Sequence, residues 1–294
     1  MRGIRSFHPF IVLLYYILAI AGFMLYQHPL FLATGVSLII VYNFLLDRGT
    51  QLKKWAWMIT VMSIFILVLT PLFNRRGNHI LFYLFNNQVM LEALIQGVMI
   101  ALTLAGILTM FITFNIVMTA DKFLYLFSSV SKQWALLTML SMRFVPLLRR
   151  KLTDMENIQE VKGLSVRKGS IRNRVKNGML LLQMILTGAL ENSIQAADSM
   201  TARGYGLRRR SNYQAFYMKR QDWIAGCCLV SIASLVIYGW WLGDGVLMLL
   251  PVLESMGLIE REWFYFIIWI MLIGFPVWAE GKEVVKWKYY QRKM

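Results

Sequence analysis

The chain contains little cysteine and little histidine, and each shortage excludes a kind of protein. Its 294 residues include 2 cysteines, the neighbours Cys227 and Cys228, and 3 histidines that are far apart in the sequence. Neighbouring cysteines do not easily bridge each other, so the sequence predicts no disulfide framework. Scattered histidines predict no zinc-type cluster, because such a site needs several ligands at short spacings. Neither disulfides nor a bound metal is therefore expected to hold the fold together.

The sequence patterns of common catalytic sites are also missing. The chain has no G-x-x-x-x-G-K-[ST] phosphate loop and no H-E-x-x-H zinc motif. Charged residues are nearly absent from the centres of its apolar runs, where a proton- or ion-coupled carrier usually has acidic residues. We therefore expect a chain that catalyses no reaction and binds no cofactor of its own.

Apolar residues are abundant instead. They make up 58% of the chain and charged residues 16%, compared with ~45–50% and ~25% in average soluble domains. The net charge is nevertheless +16. A chain that is both apolar and basic is either a membrane protein with basic cytoplasmic loops or a nucleic-acid binder with a basic soluble domain. Long apolar runs favour the membrane protein, and no nucleic acid is expected as a partner.

Six apolar runs approach the length that crosses a bilayer, which takes a helix of ~20 residues with ~17 as the lower limit. They cover residues 10–26, 30–46, 57–73, 91–118, 223–242 and 263–278. The first two are short, so either a full crossing or a partly buried, re-entrant course fits them. The predicted fold class is all-α, a polytopic membrane protein with about six transmembrane helices and a cytoplasmic insert.

Lysine and arginine residues flank these runs mainly on one side. The positive-inside rule then places both termini in the cytoplasm of a multi-pass protein of the cell membrane. Arg75 and Arg76, in the loop after the third run, are exceptions. The residues that support this orientation are Arg2, Arg5, Arg48, Lys53, Lys54, Lys122, Lys132, Lys282, Lys286, Lys288, Arg292 and Lys293.

The segment between the fourth and fifth runs holds most of the net charge. Residues 143–222 contain 16 Lys and Arg against 6 Asp and Glu, an excess of +10. A segment of this length is too long for a simple loop and must have structure of its own. We expect N-terminal transmembrane helices in residues 1–142, cytoplasmic helices in 143–222, and C-terminal transmembrane helices with a basic tail in 223–294.

Two amphipathic helices are predicted in the basic segment. In the first, from Phe144, apolar residues recur every three or four positions up to Val161, and Pro146 is expected near the helix start, where proline is tolerated. The second is expected from Gly178 to Arg203. Its polar face includes glutamate and aspartate, which argues against a lipid-facing span. Its apolar stripe consists of Leu182, Leu186, Leu190, Ile194, Ala197 and Met200.

Both predicted helices end in a cation followed by glycine, Lys162-Gly163 and Arg203-Gly204. The helix dipole favours an exposed cation at a C-terminus by ~0.3–1 kcal/mol, and glycine lets the chain turn at once in the left-handed conformation. The cation then lies at a blunt tip that fits a groove in another protein. Each end by itself is an ordinary way to finish a helix. Their repetition within one segment favours docking to a partner.

The segment from Arg143 to Gly206 carries a specific set of motifs. An Arg-Phe-x-Pro start is followed by two motifs of the Ala-Arg-Gly type, and the first of these reads Val161-Lys162-Gly163 here. The other matching residues are Arg143, Phe144 and Pro146 at the start, and Ala202, Arg203, Gly204 and Tyr205 in the second motif. With these motifs the chain resembles the T component of energy-coupling factor transporters, a family that includes the membrane subunit of the cobalt transporter. Lysine in the first motif keeps the charge of arginine but lacks its planar, two-pronged donor.

The resemblance implies a mechanism and a set of partners. T components assemble with two ABC-type ATPase subunits, which bind the ATP, and with a substrate-binding membrane protein, the S component, that selects a vitamin, a vitamin precursor or a metal ion. The resemblance places Lys162, Gly163, Ala202, Arg203 and Gly204 in the grooves of the ATPases. The start of the first coupling helix would be Arg143, Phe144 and Pro146, and the S component would contact Leu182, Leu186, Leu190 and Ile194.

Two other classes of protein remain open from the sequence. A stand-alone permease would need internal repeats and broken spans with polar residues at mid-depth, and neither is seen. A membrane-anchored scaffold would bind anionic partners through the basic clusters at residues 167–176 and 208–210, which are more simply explained as charges near the lipid headgroups. Separately, the small residues Gly97, Ala101, Ala105 and Thr109 at a spacing of four are expected to pack helices within this chain.

Overall fold

The computed structural model describes residues 3–74, 77, 79–84, 87–130, 132–164, 170–205, 207, 216–248 and 257–291. The chain divides into two compact units, which we call unit 1 (Met1–Phe123 and Phe216–Met294) and unit 2 (Leu124–Ala215). Several residues used above lie outside the described residues: Arg2, Arg75, Arg76, Arg167, Lys168, Gly206, Arg208, Arg209, Arg210, Arg292 and Lys293.

The described residues are overwhelmingly helical. A short 3-10 helix (Ile4–Ser6) comes first, and β1 (Ile80–Leu84) pairs with β2 (Asn87–Met90) in one antiparallel hairpin. In chain order the α-helices are α1 (Pro9–Leu25), α2 (Pro29–Asp47), α3 (Thr50–Phe73), α4 (Leu91–Val117), α5 (Ala120–Val130), α6 (Lys132–Val161), α7 (Ile171–Ala202), α8 (Arg220–Trp241) and α9 (Glu260–Gln291).

Each of the six predicted apolar runs forms a helix of unit 1. Helices α2, α3, α4 and α8, together with Glu260–Gly281 of α9, are long and apolar enough to cross a membrane. Helix α1 is apolar but has only 17 residues, which gives it a length of about 26 Å at the α-helical rise, slightly less than the ~30 Å hydrocarbon core. The prediction of an all-α polytopic membrane protein is confirmed.

Helices α1 and α2 begin with the same pair of residues, histidine followed by proline. Pro9 and Pro29 occupy the first turn, where proline sacrifices no intrahelical hydrogen bond because that N–H has no partner in a helix. The imidazole Nδ1 of His8 accepts from the backbone N–H of Phe10 at 3.3 Å, and the Nδ1 of His28 accepts from that of Leu30 at 3.3 Å. Each histidine thereby satisfies one of the exposed donors of its helix start.

Trp269 lies at the centre of the packing among α1, α2 and α9. Its side chain is fully buried, and its indole N–H donates to the backbone carbonyl of Phe31 in α2 at 2.9 Å. Phe23 of α1 meets the ring edge-on, with 5.1 Å between ring centroids. A Cβ atom at Gly22 would run into the indole, and one at Gly35 would lie 3.2 Å from it. The two glycines therefore provide the space that this large ring occupies.

The small residues of α4 pack helices within the chain, as predicted. A Cβ atom added at Gly97 would lie 3.3 Å from the Cβ of Thr70 in α3. Ala101 and Thr109 are buried. Gly106 of the same helix faces the ring of Phe23 in α1 so closely that an added Cβ atom would lie 2.6 Å from the ring. These residues let α4 approach both α3 and α1 closely.

One end of unit 1 collects the basic residues, and we call it the basic end. There Asp222, in the first turn of α8, accepts from the backbone N–H of His8 at 3.3 Å. The buried Lys122 donates to the carbonyls of Arg5 at 2.8 Å and Val117 at 3.3 Å. Burial lowers the pKa of the Lys122 ammonium, and the charge of Arg5 adds to this effect. These contacts bring together the start of α1, the end of α4 and the start of α8.

The opposite end of unit 1 is held by a different set of contacts. The Arg261 guanidinium donates twice to one carboxylate oxygen of the buried Asp244, at 2.7 and 3.0 Å. The backbone of Gln27 pairs with that of Val246 in an isolated parallel bridge. The turn between α1 and α2 therefore lies beside the residues that follow α8, Val246 and Leu247.

The hydrogen bond from Trp269 generates a prediction about stability. Replacing Trp269 with phenylalanine removes the indole N–H and leaves a cavity where the second ring of the indole was. We therefore expect the free energy of unfolding in detergent micelles to fall by about 2 kcal/mol. The matched control is Trp263→Phe on the same helix, because Trp263 is exposed and should change stability little. Equal stability of the two variants would show that Trp269 does not hold α9 on α2.

Candidate functional site: two cationic helix ends

Unit 2 contains the two long helices that the sequence predicted, but both begin earlier than expected. Helix α6 starts at Lys132, so Arg143, Phe144 and Pro146 lie in its interior and the prediction of a helix start there is wrong. The residues from Lys132 onward are good helix formers, with neither glycine nor proline until Pro146. The structure keeps Pro146 within a continuous helix, although its missing N–H removes one intrahelical hydrogen bond.

Helix α7 starts at Ile171, ahead of the predicted Gly178. The apolar residues Val175 and Met179 extend the stripe toward the N-terminus at spacings of three and four, which the prediction did not use. Gly178 is accommodated inside the helix. The end of α7 at Ala202 agrees with the predicted end to within one residue.

Helices α6 and α7 contact each other through residues near the end of α6. Gln159 is 7% exposed, and its side-chain amide donates to the sulfur of Met184 in α7 at 3.3 Å. Leu181, one turn before Met184, is also buried. The sequence did not predict this pairing, because a glutamine and a methionine carry no periodic signal that would match them across two helices.

Helix α6 ends in a Schellman motif. Gly163 has a φ of 78°, in the left-handed region, and the backbone N–H of Leu164 donates to the carbonyl of Gln159 at 2.9 Å. The N–H of Gly163 donates to the carbonyl of Glu160 at 3.0 Å. These two bonds satisfy carbonyls that the helix would otherwise leave unpaired. Lys162 is therefore the last residue before the left-handed turn at Gly163.

Helix α7 ends in the same motif. Gly204 has a φ of 75°, the backbone N–H of Tyr205 donates to the carbonyl of Met200 at 3.0 Å, and the N–H of Gly204 donates to that of Thr201 at 2.9 Å. Arg203 takes the position that Lys162 takes in α6. Left-handed backbone, and not lack of space, is what requires glycine, since a Cβ atom would meet nothing within 4 Å at Gly163 and only a leucine methyl at Gly204.

The two cations are presented to the surroundings of unit 2. Lys162 and Arg203 are both exposed, and within the described part of the chain neither side chain has a hydrogen-bond or ion-pair partner. Val161 beside Lys162 is 90% exposed. A cation with no internal partner, next to an uncovered apolar side chain, has the chemistry of a surface that binds an acidic, partly apolar groove.

The apolar stripe of α7 is uncovered as well. Leu182, Leu186 and Leu190 are 49%, 54% and 65% exposed, and Ile194 is 61% exposed. They lie on a face of α7 different from the one that Leu181 and Met184 turn to α6. Contiguous exposed leucines of this kind mark an interaction surface for protein or lipid.

A family model described as cobalt transport protein, CbiQ, matches residues 6–213 of the chain. The energy-coupling factor transporter transmembrane protein EcfT of Leuconostoc gelidum subsp. gasicomitatum is 28% identical over 202 residues, which cover 64% of this chain and 74% of the relative. The protein of that name from Staphylococcus aureus is 22% identical over 204 residues, with coverages of 64% and 76%. The one from Lacticaseibacillus paracasei is 29% identical over 104 residues, which span 35% of this chain and 39% of the relative.

The left-handed glycines generate a prediction about the helix ends. Alanine at Gly163 or Gly204 must adopt the left-handed conformation at a cost of about 1–2 kcal/mol, so we expect amide hydrogen exchange in the last turn of the affected helix to accelerate by roughly fivefold or more. The control is Gly188→Ala inside α7, where the backbone is right-handed and a Cβ atom meets nothing within 4 Å. That change should slow exchange in α7, and acceleration there would contradict our account of the glycines.

Proposed function

The chain belongs to the CbiQ family of cobalt transport proteins, and we propose that it is the transmembrane coupling component of an energy-coupling factor importer. In this role it passes the ATP-driven movement of two ABC-type ATPase subunits to a substrate-binding S component. The observation that carries the proposal is the pair of exposed cations, Lys162 and Arg203, at two helix ends of identical backbone geometry.

The charge distribution of unit 1 supports a cytoplasmic position for the basic end. Lysines and arginines gather where α1 and α8 begin and where α2 passes into α3, and the positive-inside rule assigns such an end to the cytoplasm. The described residues of this group are Arg5, Arg48, Lys53, Lys54, Lys122, Lys219 and Arg220. Both termini, and the ends of the chain segments that lead into and out of unit 2, are then cytoplasmic, where ATPase subunits are available.

The helix ends suit the transmission of force. In the proposed complex Lys162, Gly163, Ala202, Arg203 and Gly204 lie in grooves of the ATPase subunits. Because the backbone leaves the helical conformation at the glycine that follows each cation, each helix ends at its cation. Closure of the ATPases would therefore push on the helix end itself, and the helix would carry the displacement along its length.

The uncovered leucine stripe of α7 is the surface that we assign to the S component. Leu182, Leu186, Leu190 and Ile194 would pack against the S component, since apolar side chains that are about half exposed gain from burial in a protein interface. The S component selects the cargo in this arrangement, whether a vitamin, a vitamin precursor or a metal ion. The chain itself would bind neither ATP nor a cofactor and would catalyse no reaction.

Reversing the charge at a helix end tests the ATPase contact. We expect Arg203→Glu to abolish co-purification of the ATPase subunits and substrate uptake, because a carboxylate replaces the cation that the acidic groove would bind. Lys162→Glu should act in the same direction with a smaller effect, since lysine forms a less specific contact than arginine. Membrane insertion of both variants, measured by fractionation, should be unchanged.

The matched control is Arg150→Glu, which reverses an exposed charge on α6 away from its end. It should retain ATPase binding and uptake. If Arg203→Glu transports as well as the unmodified protein and still retains its ATPases, the docking assignment is wrong.

Polar substitution in the leucine stripe tests the second contact separately. We expect the double variant Leu186→Asn, Leu190→Asn to lose the S component but to keep the ATPases. The substitutions remove apolar area only from the face of α7 that would contact the S component, and they leave the two helix ends unchanged. The control is Leu180→Asn, which changes an exposed leucine on another face of α7. Co-purification followed by mass spectrometry of the retained subunits reads out both contacts. Retention of the S component by the double variant would contradict the assignment of this face.

A further inference from the structure

We propose that the groove between α3 and α4 is a binding site for one anionic phospholipid, from the bilayer leaflet at the basic end of unit 1. This site lies in unit 1 and is independent of the helix ends and the leucine stripe, so it does not rest on the proposed function. Three features support it: a groove of the right depth, a polar rim, and an excess of positive charge beside that rim.

The groove is built from one stripe of each helix. It encloses about 420 Å³, which falls within the ~300–1,000 Å³ typical of small-molecule sites. The residues that line it recur at the helical spacing on both walls, and those that the argument uses are Gln51, Trp55, Ile59, Leu108, Ile112 and Asn115. Because α3 begins where α4 ends, the polar residues Gln51 and Asn115 lie at the same end of the groove.

The depth of the groove matches one leaflet. From Ile116 to Leu108, both lining residues within the fourth apolar run, helix α4 rises about 12 Å, and half of the hydrocarbon core measures about 15 Å. The deeper lining residues, such as Ile59, Leu108 and Ile112, are apolar. The groove therefore offers an apolar channel for an acyl chain that runs from the interface toward the middle of the bilayer.

The rim of the groove has groups that suit the glycerol and ester region of a lipid. The amides of Gln51 and Asn115 donate and accept hydrogen bonds. Trp55 is 48% exposed and lines the same end, at a depth where indole rings favour the boundary between hydrocarbon and headgroups.

Positive charge lies at the level of this rim, although Lys53, two residues from both Gln51 and Trp55, lies on the opposite side of α3. Lys54 directly precedes Trp55 and is exposed, as are Lys53 and Arg48 at the junction of α2 and α3. The acidic residue of that junction, Asp47, accepts a hydrogen bond from the Thr50 hydroxyl. The excess of cations favours an anionic headgroup over a zwitterionic one, by roughly fivefold in affinity for each lysine or arginine near the surface.

The size of the groove favours a lipid over a protein segment. An α-helix with its side chains is about 10–12 Å across, and a cavity of about 420 Å³ between two adjacent helices holds an acyl chain more readily than a third helix. Helix α3 packs against α4 and has few buried residues of its own, since Ile59 is the one residue of α3 that is buried. A lipid chain in the groove would cover apolar surface that α3 otherwise leaves open on the side of α4.

The test measures fluorescence quenching of Trp55 in the full chain, reconstituted into phosphatidylcholine vesicles. Small amounts of phosphatidylglycerol or phosphatidylcholine with brominated acyl chains are added, and the Trp55 signal is the difference from a Trp55→Phe variant. We expect brominated phosphatidylglycerol to quench this signal at a concentration roughly fivefold or more below that needed for brominated phosphatidylcholine.

Two variants identify the site. Lys53→Gln with Lys54→Gln should abolish the preference for phosphatidylglycerol, whereas the control, Arg5→Gln with Arg220→Gln, removes the same charge at the basic end and should keep it. Leu108→Phe with Ile112→Phe narrows the groove and should weaken quenching by both lipids, while an unchanged unfolding midpoint shows that the fold is retained.

The opposite results overturn the proposal. Equal quenching by the two lipids would show ordinary lipid contact without a site. A preference that survives in the Lys53, Lys54 variant, or quenching that survives in the narrowed groove, would place the lipid elsewhere. Loss of lipid quenching when partner membrane proteins are added would assign the groove to a protein contact.

Discussion

A hydrocarbon layer offers a polypeptide backbone no hydrogen-bond partner except the backbone itself, and the organisation of this chain follows from that constraint. Within unit 1 the apolar runs are continuous helices, and the polar contacts that join one helix to another lie mostly at the two ends. Asp222 and Lys122 bind backbone groups at the basic end, and Asp244 binds Arg261 at the other. Inside the spans, aromatic rings occupy the space that neighbouring glycines leave open, and Trp269 is the largest of these rings.

Unit 2 differs from unit 1 because its helices are amphipathic. Helices α6 and α7 have 30 and 32 residues, which makes each about 45 Å long or slightly more. Such lengths are far above the average for globular proteins, where helices run ~10–14 residues. The described contact joins the end of α6, at Gln159, to the middle of α7, at Met184, and it leaves the cations Lys162 and Arg203 and the leucine stripe of α7 uncovered. In the proposed function, other subunits would cover these surfaces and the two long helices would act as levers.

Much of this organisation could be predicted from the sequence, since it depends on local signals. Apolar runs located the spans, and a cation followed by glycine located the ends of α6 and α7. The starts of these helices were predicted too late, because Pro146 and Gly178 are usual near a helix boundary, yet here they lie inside helices. The contacts of Trp269 with Phe31 and of Gln159 with Met184 join residues that are distant in the sequence. Hydrophobic periodicity predicts single helices and not such pairs. The groove between α3 and α4 was missed for the same reason.

The histidines that begin α1 and α2 have a consequence of their own. A ring nitrogen that accepts a hydrogen bond must keep its lone pair, so the neutral ring of His8 and that of His28 each carry their single proton on Nε2. Serine or aspartate in this place would cap the helix with an oxygen and have no such tautomer requirement. Because His8 lies at the basic end of unit 1 and His28 at the other, the same histidine–proline start begins two consecutive helices that run in opposite directions.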